Sequence, residues 1–282
     1  MKLSVRLSLA VLAAYLVAAV CGEVQYRVAQ ARDVTPAYNR VNAQARDLPP
    51  LAAVPPTNAI SVLGTDNLGR SVGLRLVQGT RIAFYVGILT SLIAIPLGML
   101  LGLFGGYFGG KTDSVVNWLC ATVASMPGLL FILAISLVVG KGMLGLVVGI
   151  GLTTWVGTCR TIRAETIRHR DRAYVQAAKV LGYSSARIVF RHILPNVMHV
   201  LLIQFAIRFP SAVSTEVFIS FLGIGVQGEP SWGIMINNAR TRLWQGVWWE
   251  MAFTTAAIFL LVLVFNHLAD ALRDHFDPAL RT

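Results

Sequence analysis

The chain has 282 residues, of which 55% are hydrophobic and only 13% charged, and its formal net charge is +11. A soluble globular domain carries about twice that charged fraction, so the composition excludes one and indicates a multi-spanning helical membrane protein. The positive charge is no argument for nucleic acid. The single polar interval from Arg160 to Pro195 holds eight basic residues against two acidic ones, and retention of Lys and Arg on the cytoplasmic side, with attraction to lipid headgroups, accounts for most of it.

A membrane-spanning helix needs about 20 mainly apolar residues, and lipid offers no partner for free backbone groups, so the spans must be helices. The pattern predicts spans at about Val5–Cys21, Ile82–Phe104, Val115–Val139, Met143–Thr158, Val197–Leu222 and Met251–Leu268. The first segment follows Lys2 and Arg6 and could be a secretory signal. Val20 ahead of Cys21 argues against a lipoprotein-type cut, and an uncleaved anchor (residues 1–22) is the expectation. Residues 23–60 follow as an extracytoplasmic linker, extended around Pro49, Pro50, Pro55 and Pro56, with a soft boundary near residue 60. Residues 61–282 then form a five-helix core. With the amino terminus inside, six crossings return the carboxyl terminus to the cytoplasm, and the basic loop at 160–195 is cytoplasmic as its charge demands. The arginines between Gly22 and Arg81 run against this rule, over a length at which the rule weakens.

Phe104 to Lys111, FGGYFGGK, predicts a tight inner reversal whose glycines permit left-handed backbone. It lacks the Gly-Lys-Ser/Thr of a phosphate-cradling loop. The outer loop Gly223 to Trp249 contains Trp232, Trp244, Trp248 and Trp249, expected at the membrane–water boundary. Cys21, Cys120 and Cys159 have no metal-ligand spacing and read as small core residues. His169, His192, His199, His267 and His275 are scattered, so neither a metal site nor a catalytic site is expected.

Two short helices are predicted inside the basic loop. The first runs from about Asp171, its cap, to Leu181, with Tyr174, Ala177, Ala178 and Leu181 on one face. Gly182 breaks it. Ser184 or Ser185 caps a second helix through about His192, and Pro195 marks its end or the first turn of the fifth span. By spacing alone, this elbow could dock a soluble protein or lie on the membrane.

Gln176-Ala177-Ala178, Gly182 and Ile193-Leu194-Pro195 resemble the Glu-Ala-Ala loop of permease subunits of ATP-binding-cassette importers. A narrower resemblance, to the second permease subunit of the dipeptide/oligopeptide/nickel importers, is carried by four further stretches. They are Leu63-Gly64-Thr65-Asp66-Asn67-Leu68-Gly69-Arg70, Phe104 to Gly110, Ser220-Phe221-Leu222-Gly223 with Pro230-Ser231-Trp232-Gly233, and Phe276-Asp277-Pro278-Ala279-Leu280-Arg281. The match covers about residues 60 to 281 in order. The resemblance implies an all-α type I importer permease fold in the bacterial inner membrane. It also implies a second homologous permease subunit, two ATP-binding subunits that carry ATP and Mg, and an extracytoplasmic substrate-binding protein, where selectivity among peptides (the expected substrate), glutathione-like compounds and nickel chelates would largely lie. No cofactor is expected on this chain. Tyr174, Gln176, Ala177, Ala178, Leu181 and Gly182 would couple it to the ATPases by alternating access.

Two departures from the family stand out. Gln176 replaces the usual glutamate, so docking must rely on shape more than on an ion pair. Arg208 lies about 13 residues past Pro195, roughly 20 Å along a helix, near mid-membrane. Ionisable residues within spans are candidates for the pathway, which here means Arg208 and Glu216. Glu216 is expected to face the cavity and meet a cationic substrate group. Alternatively, the two neutralise each other or groups of a partner subunit. A secondary transporter or channel remains the competing class, although no internal repeat is evident.

Overall fold

The computed structural model describes residues 3–56 and 59–276. The described chain is largely helical, and its helices follow the apolar runs but overshoot them. Helix α1 covers Leu3–Ala31 and α2 Val72–Phe108; between them Ala52–Val54 (β1) and Ala59–Ser61 (β2) pair antiparallel. Then come α3 (Gly110–Ala124), α4 (Gly128–Val139), α5 (Met143–Arg170) and α6 (Ala173–Val180). Helix α7 (Ser185–Arg187) runs through a π turn at Ile188–Ile193 into α8 (Leu194–Phe221), followed by α9 (Trp232–Arg240) and α10 (Trp249–Phe276). Five of the described helices are long and apolar enough to span a membrane, or six if α3 and α4 count as one span.

That pair corrects the expected third span. Pro127 has no N–H and its ring obstructs the preceding turn; α2 and α8 run on through Pro96 and Pro210, but at Pro127 the helix breaks. Helix α3 stops at Ala124, Pro127 becomes the N-cap of α4, and the two helices meet at 90°. The fourth span is corrected in the other direction: α5 continues through Arg160 and Arg163 to Arg170, so the first third of the basic loop is helix. The predicted second loop helix is not separate either. Ser184 caps α7, accepting from the Arg187 backbone N–H, and Pro195 falls in the first turn of α8. The inner reversal is confined to Gly109 and Gly110, both at positive φ, while Gly105 and Gly106 remain helical.

The chain forms two compact units. The first comprises residues 1–87, 141–143 and 210–268. Residues 32–56, in the interval expected as a linker extended around its prolines, fold within it. Tyr38 and Ala45 are buried, and Asp47 pairs with Arg242 at 2.5 Å. The Asp66 carboxylate organises the 63–70 motif, accepting from the Leu68 and Arg70 backbone N–H groups (both 2.9 Å) and from Arg70 Nε (2.7 Å). Gly69, at φ 73, lies so close to the Asn42 carbonyl that a Cβ would stand 1.9 Å from its oxygen. The four tryptophans divide. Trp244 and Trp248 are exposed as an interfacial belt requires, but Trp232 and Trp249 are core residues whose indole N–H groups donate to the Leu76 and Thr65 carbonyls.

The second unit comprises residues 88–140, 144–209 and 269–282, of which 269–276 are described at its end. Its close packing is legible in a glycine stripe. A Cβ on Gly98, Gly102 or Gly106 would stand 2.6–2.7 Å from atoms of α5, among them the Trp155 and Cys159 carbonyls and Thr166 Cβ. Small residues four apart let two helix backbones approach where no hydrophobic force drives them together. The terminal signature from Asp277 onward lies outside the described residues.

Candidate coupling and pathway sites

The first site is built on α6. Its C-terminus closes in a Schellman turn: Gly182, at φ 75, donates its N–H to the Lys179 carbonyl (3.0 Å) and Tyr183 donates to the Ala178 carbonyl (3.1 Å). This is the arrangement that glycine just past a helix end permits. The N-terminus differs from expectation: Arg172, not Asp171, occupies the N-cap, without a side-chain cap, and Asp171 pairs instead with Arg170 at 3.4 Å.

The helix stands on Val175 and Ala178, which are 0% and 3% exposed and pack in one cluster with Leu103, Ile162, Ile188 and Ile193. The other faces point outward. Tyr174, Gln176 and Ala177 are exposed, as are Val180 and Leu181, at 88% and 70%. The expected shared face of Tyr174, Ala177, Ala178 and Leu181 is therefore corrected: Ala178 belongs to the base and Ala177 to the free surface. In a helix of 8 residues two stripes at three- and four-residue spacing fit equally well, and the spacing rule alone cannot choose. Val175 and Val180 were missed for that reason. Their β-branched bulk was the available signal, since one such residue must be buried for so short a helix to hold its place.

Two of the outward residues are held by the tips of their side chains. Tyr174 Oη and His169 Nδ1 are 2.8 Å apart, and Gln176 Nε2 donates to the Arg170 carbonyl at 3.2 Å. Partial burial raises the Tyr174 phenol above its ordinary value, so it stays protonated at neutral pH. Arg168, Arg172, Arg187 and Arg191 are exposed around this surface. The arrangement offers a partner a rigid, mostly apolar step in a basic surround.

The pathway candidates have separate surroundings. Arg208, half-buried on α8 in the second unit, donates from Nε to Thr158 Oγ1 at 2.5 Å and from Nη1 to the Thr154 carbonyl on α5. Glu216 belongs to the first unit and is 1% exposed. It accepts from Ser220 Oγ at 2.6 Å and from Ser231, the N-cap of α9. Glu216, expected to face the cavity, has its side chain buried against Ser220 and Ser231 among the described residues. Its carboxylate is spent on tying the end of α8 to the start of α9.

A family model described as "Binding-protein-dependent transport system inner membrane component" matches residues 94–282, and the chain belongs to that family. It is 35% identical over 227 residues to the dipeptide transport system permease protein DppC of Bacillus subtilis, covering 80% of this chain and 71% of that protein. It is also 35% identical over 221 residues to the glutathione transport system permease protein GsiD of Pectobacterium atrosepticum, covering 78% and 73%. Among solved structures, an amino acid ABC transporter aligns with a TM-score of 0.56 at 16% identity, over 72% of this chain and 94% of that one, a likeness of fold. The protein is a permease subunit of an ATP-binding-cassette importer with the type I permease fold.

Proposed function

We propose that this subunit forms half of the translocation pathway of a peptide importer, beside a second, homologous permease subunit. Two cytoplasmic subunits bind ATP and Mg and hydrolyse the nucleotide, and an extracytoplasmic binding protein delivers the substrate. Relatives named for dipeptide, oligopeptide and glutathione transport support the substrate class. A peptide cannot cross hydrocarbon unaided, because each unpaired polar group costs several kcal/mol there. The pathway is therefore a wet cavity open to one side at a time. Both termini and the 160–195 interval lie in the cytoplasm, where the basic residues of that interval are retained. Residues 61–282 act as the permease core, preceded by the anchor helix. Arg208 borders the pathway.

The observation that carries this reading is the α6 step, exposed at Tyr174, Gln176, Ala177 and Leu181 and seated on Val175 and Ala178. In this reading ATP-driven closure of the ATPases pushes the step, Gly182 and Ala178 fix its angle, and the motion passes into α5 and α8. The test is Ala177→Glu in the assembled complex. Recovery of the subunit in membranes should be unchanged, while substrate-stimulated ATP hydrolysis and uptake fall on the order of tenfold or more, as when a central interface contact is lost. Normal uptake by this variant would refute the coupling role.

A further inference from the structure

Arg208 is a cation placed deep in a spanning helix, and none of the described residues supplies it with a carboxylate. A guanidinium has five N–H donors. Thr158 Oγ1 and the Thr154 carbonyl take one from Nε and one from Nη1, leaving one N–H of Nη1 and both of Nη2 unspent among the described residues. Nη2 occupies the space left by the missing side chain of Gly157, an exposed position of α5. A Cβ there would stand 2.7 Å from Nη2 and 3.9 Å from Cζ, so the guanidinium points its Nη2 end at the bare backbone of an exposed position. The neighbourhood is polar as well. Thr154, Thr158 and Thr161 recur on one face of α5, and Gln204, one turn before Arg208, donates to Thr161 Oγ1 at 3.3 Å. A charged side chain facing lipid at this depth is costly, and such groups turn toward water-filled cavities or partners. The arrangement is a cation held through Nε and Nη1, with Nη2 left to meet a carboxylate.

We infer that Arg208, seated over Gly157 and held by Thr154 and Thr158, is the pathway's recognition site for a carboxylate of the passing substrate, the terminal carboxylate in the case of a peptide. This rests on the importer reading above and deepens it: selectivity for substrates with a free carboxylate is built into the permease as well as into the binding protein. Thr158 and Thr154 are positioning groups that keep the guanidinium from collapsing onto its own helix.

The test uses the assembled complex in proteoliposomes with its binding protein. The probes are trialanine and trialanine carboxamide, and the readout is the ratio of their uptake rates. Wild type should favour the free carboxylate, and Arg208→Gln should lower that ratio about tenfold, the scale of one charge-assisted hydrogen-bonded pair. Arg208→Lys keeps the charge without the fork and should retain part of the preference. Recovery of the complex should be the same for all three. An unchanged ratio in Arg208→Gln would overturn the inference by placing the preference in the binding protein alone. An equal loss of both probes would overturn it by making Arg208 structural, and failure of Arg208→Gln to assemble would assign its counter-charge to the partner subunit. Absence of ATP-dependent uptake of either probe by wild type would instead sink the peptide-importer reading.

Discussion

At Gly102 the account is decided by a few tenths of an ångström. A Cβ there would meet the Cys159 carbonyl at 2.7 Å, and that obstacle is backbone, which cannot swing aside as a side chain can. Gly102→Val should therefore destabilise the second unit toward the upper end of the about 1–3 kcal/mol typical of overpacking. The measurement is thermal denaturation of the detergent-purified subunit, with a clear fall in midpoint expected and an unchanged midpoint contradicting the packing. The sequence offered the stripe at positions 98, 102 and 106 openly, yet FGGYFGG reads first as a turn. Glycine serves left-handed backbone and close helix approach equally well, and only the partner helix distinguishes Gly106 from Gly109. Ala178 carries the same ambiguity, since a small residue suits a buried base and a docking face alike. Glu216 was legible as exceptional, but not its use, because Ser231 approaches from another helix 15 residues away.

Helix α6 illustrates how a short element keeps a fixed attitude. Its 8 residues are too few to be stable alone, so Val175 and Ala178 anchor one side and the Gly182 turn closes the end. Nothing lies within 4 Å of a Cβ placed on Gly182, so Gly182→Ala would clash with no neighbour and suffer only the left-handed backbone. That costs about 1 kcal/mol or slightly more. The expected consequence is about fivefold faster amide exchange along α6 with the second unit otherwise unchanged. Gly182→Asn, which tolerates this backbone better, should lose less. Equal protection in all three would show that the turn does not hold the helix. The break at Gly182 and the Ser184 cap could be read in advance because each depends on one residue's local chemistry. The 90° bend at Pro127 was equally local and was hidden by an apolar run that looked continuous. The extension of α5 to Arg170 was not local: Arg163 pairs with Asp113 at the start of α3, and Arg170 Nη1 donates to the Gly106 carbonyl. Charged side chains that find tertiary partners let a helix continue past the point where hydropathy says it should end.

For the molecule as a whole, the family membership, the number of apolar helices and the order of the motifs were readable from hydropathy and short patterns. The folded state of residues 32–56 was not, because the prolines there suggest extension while the contacts that fold the segment, such as Asp47 with Arg242, join residues far apart in sequence. The functional claim that joins all scales is that α6 is the surface on which an ATP-hydrolysing partner rests. The direct measurement starts from a chain with Cys21, Cys120 and Cys159 replaced, carrying a single cysteine at Gln176 or at Trp244, the latter 95% exposed in the first unit. After treatment of the assembled complex with a short thiol-to-amine cross-linker, Gln176→Cys should join this chain to the ATP-hydrolysing subunit and Trp244→Cys should not. Labelling of Gln176→Cys only by a membrane-impermeant reagent applied from outside, with no cross-link to that subunit, would contradict the account.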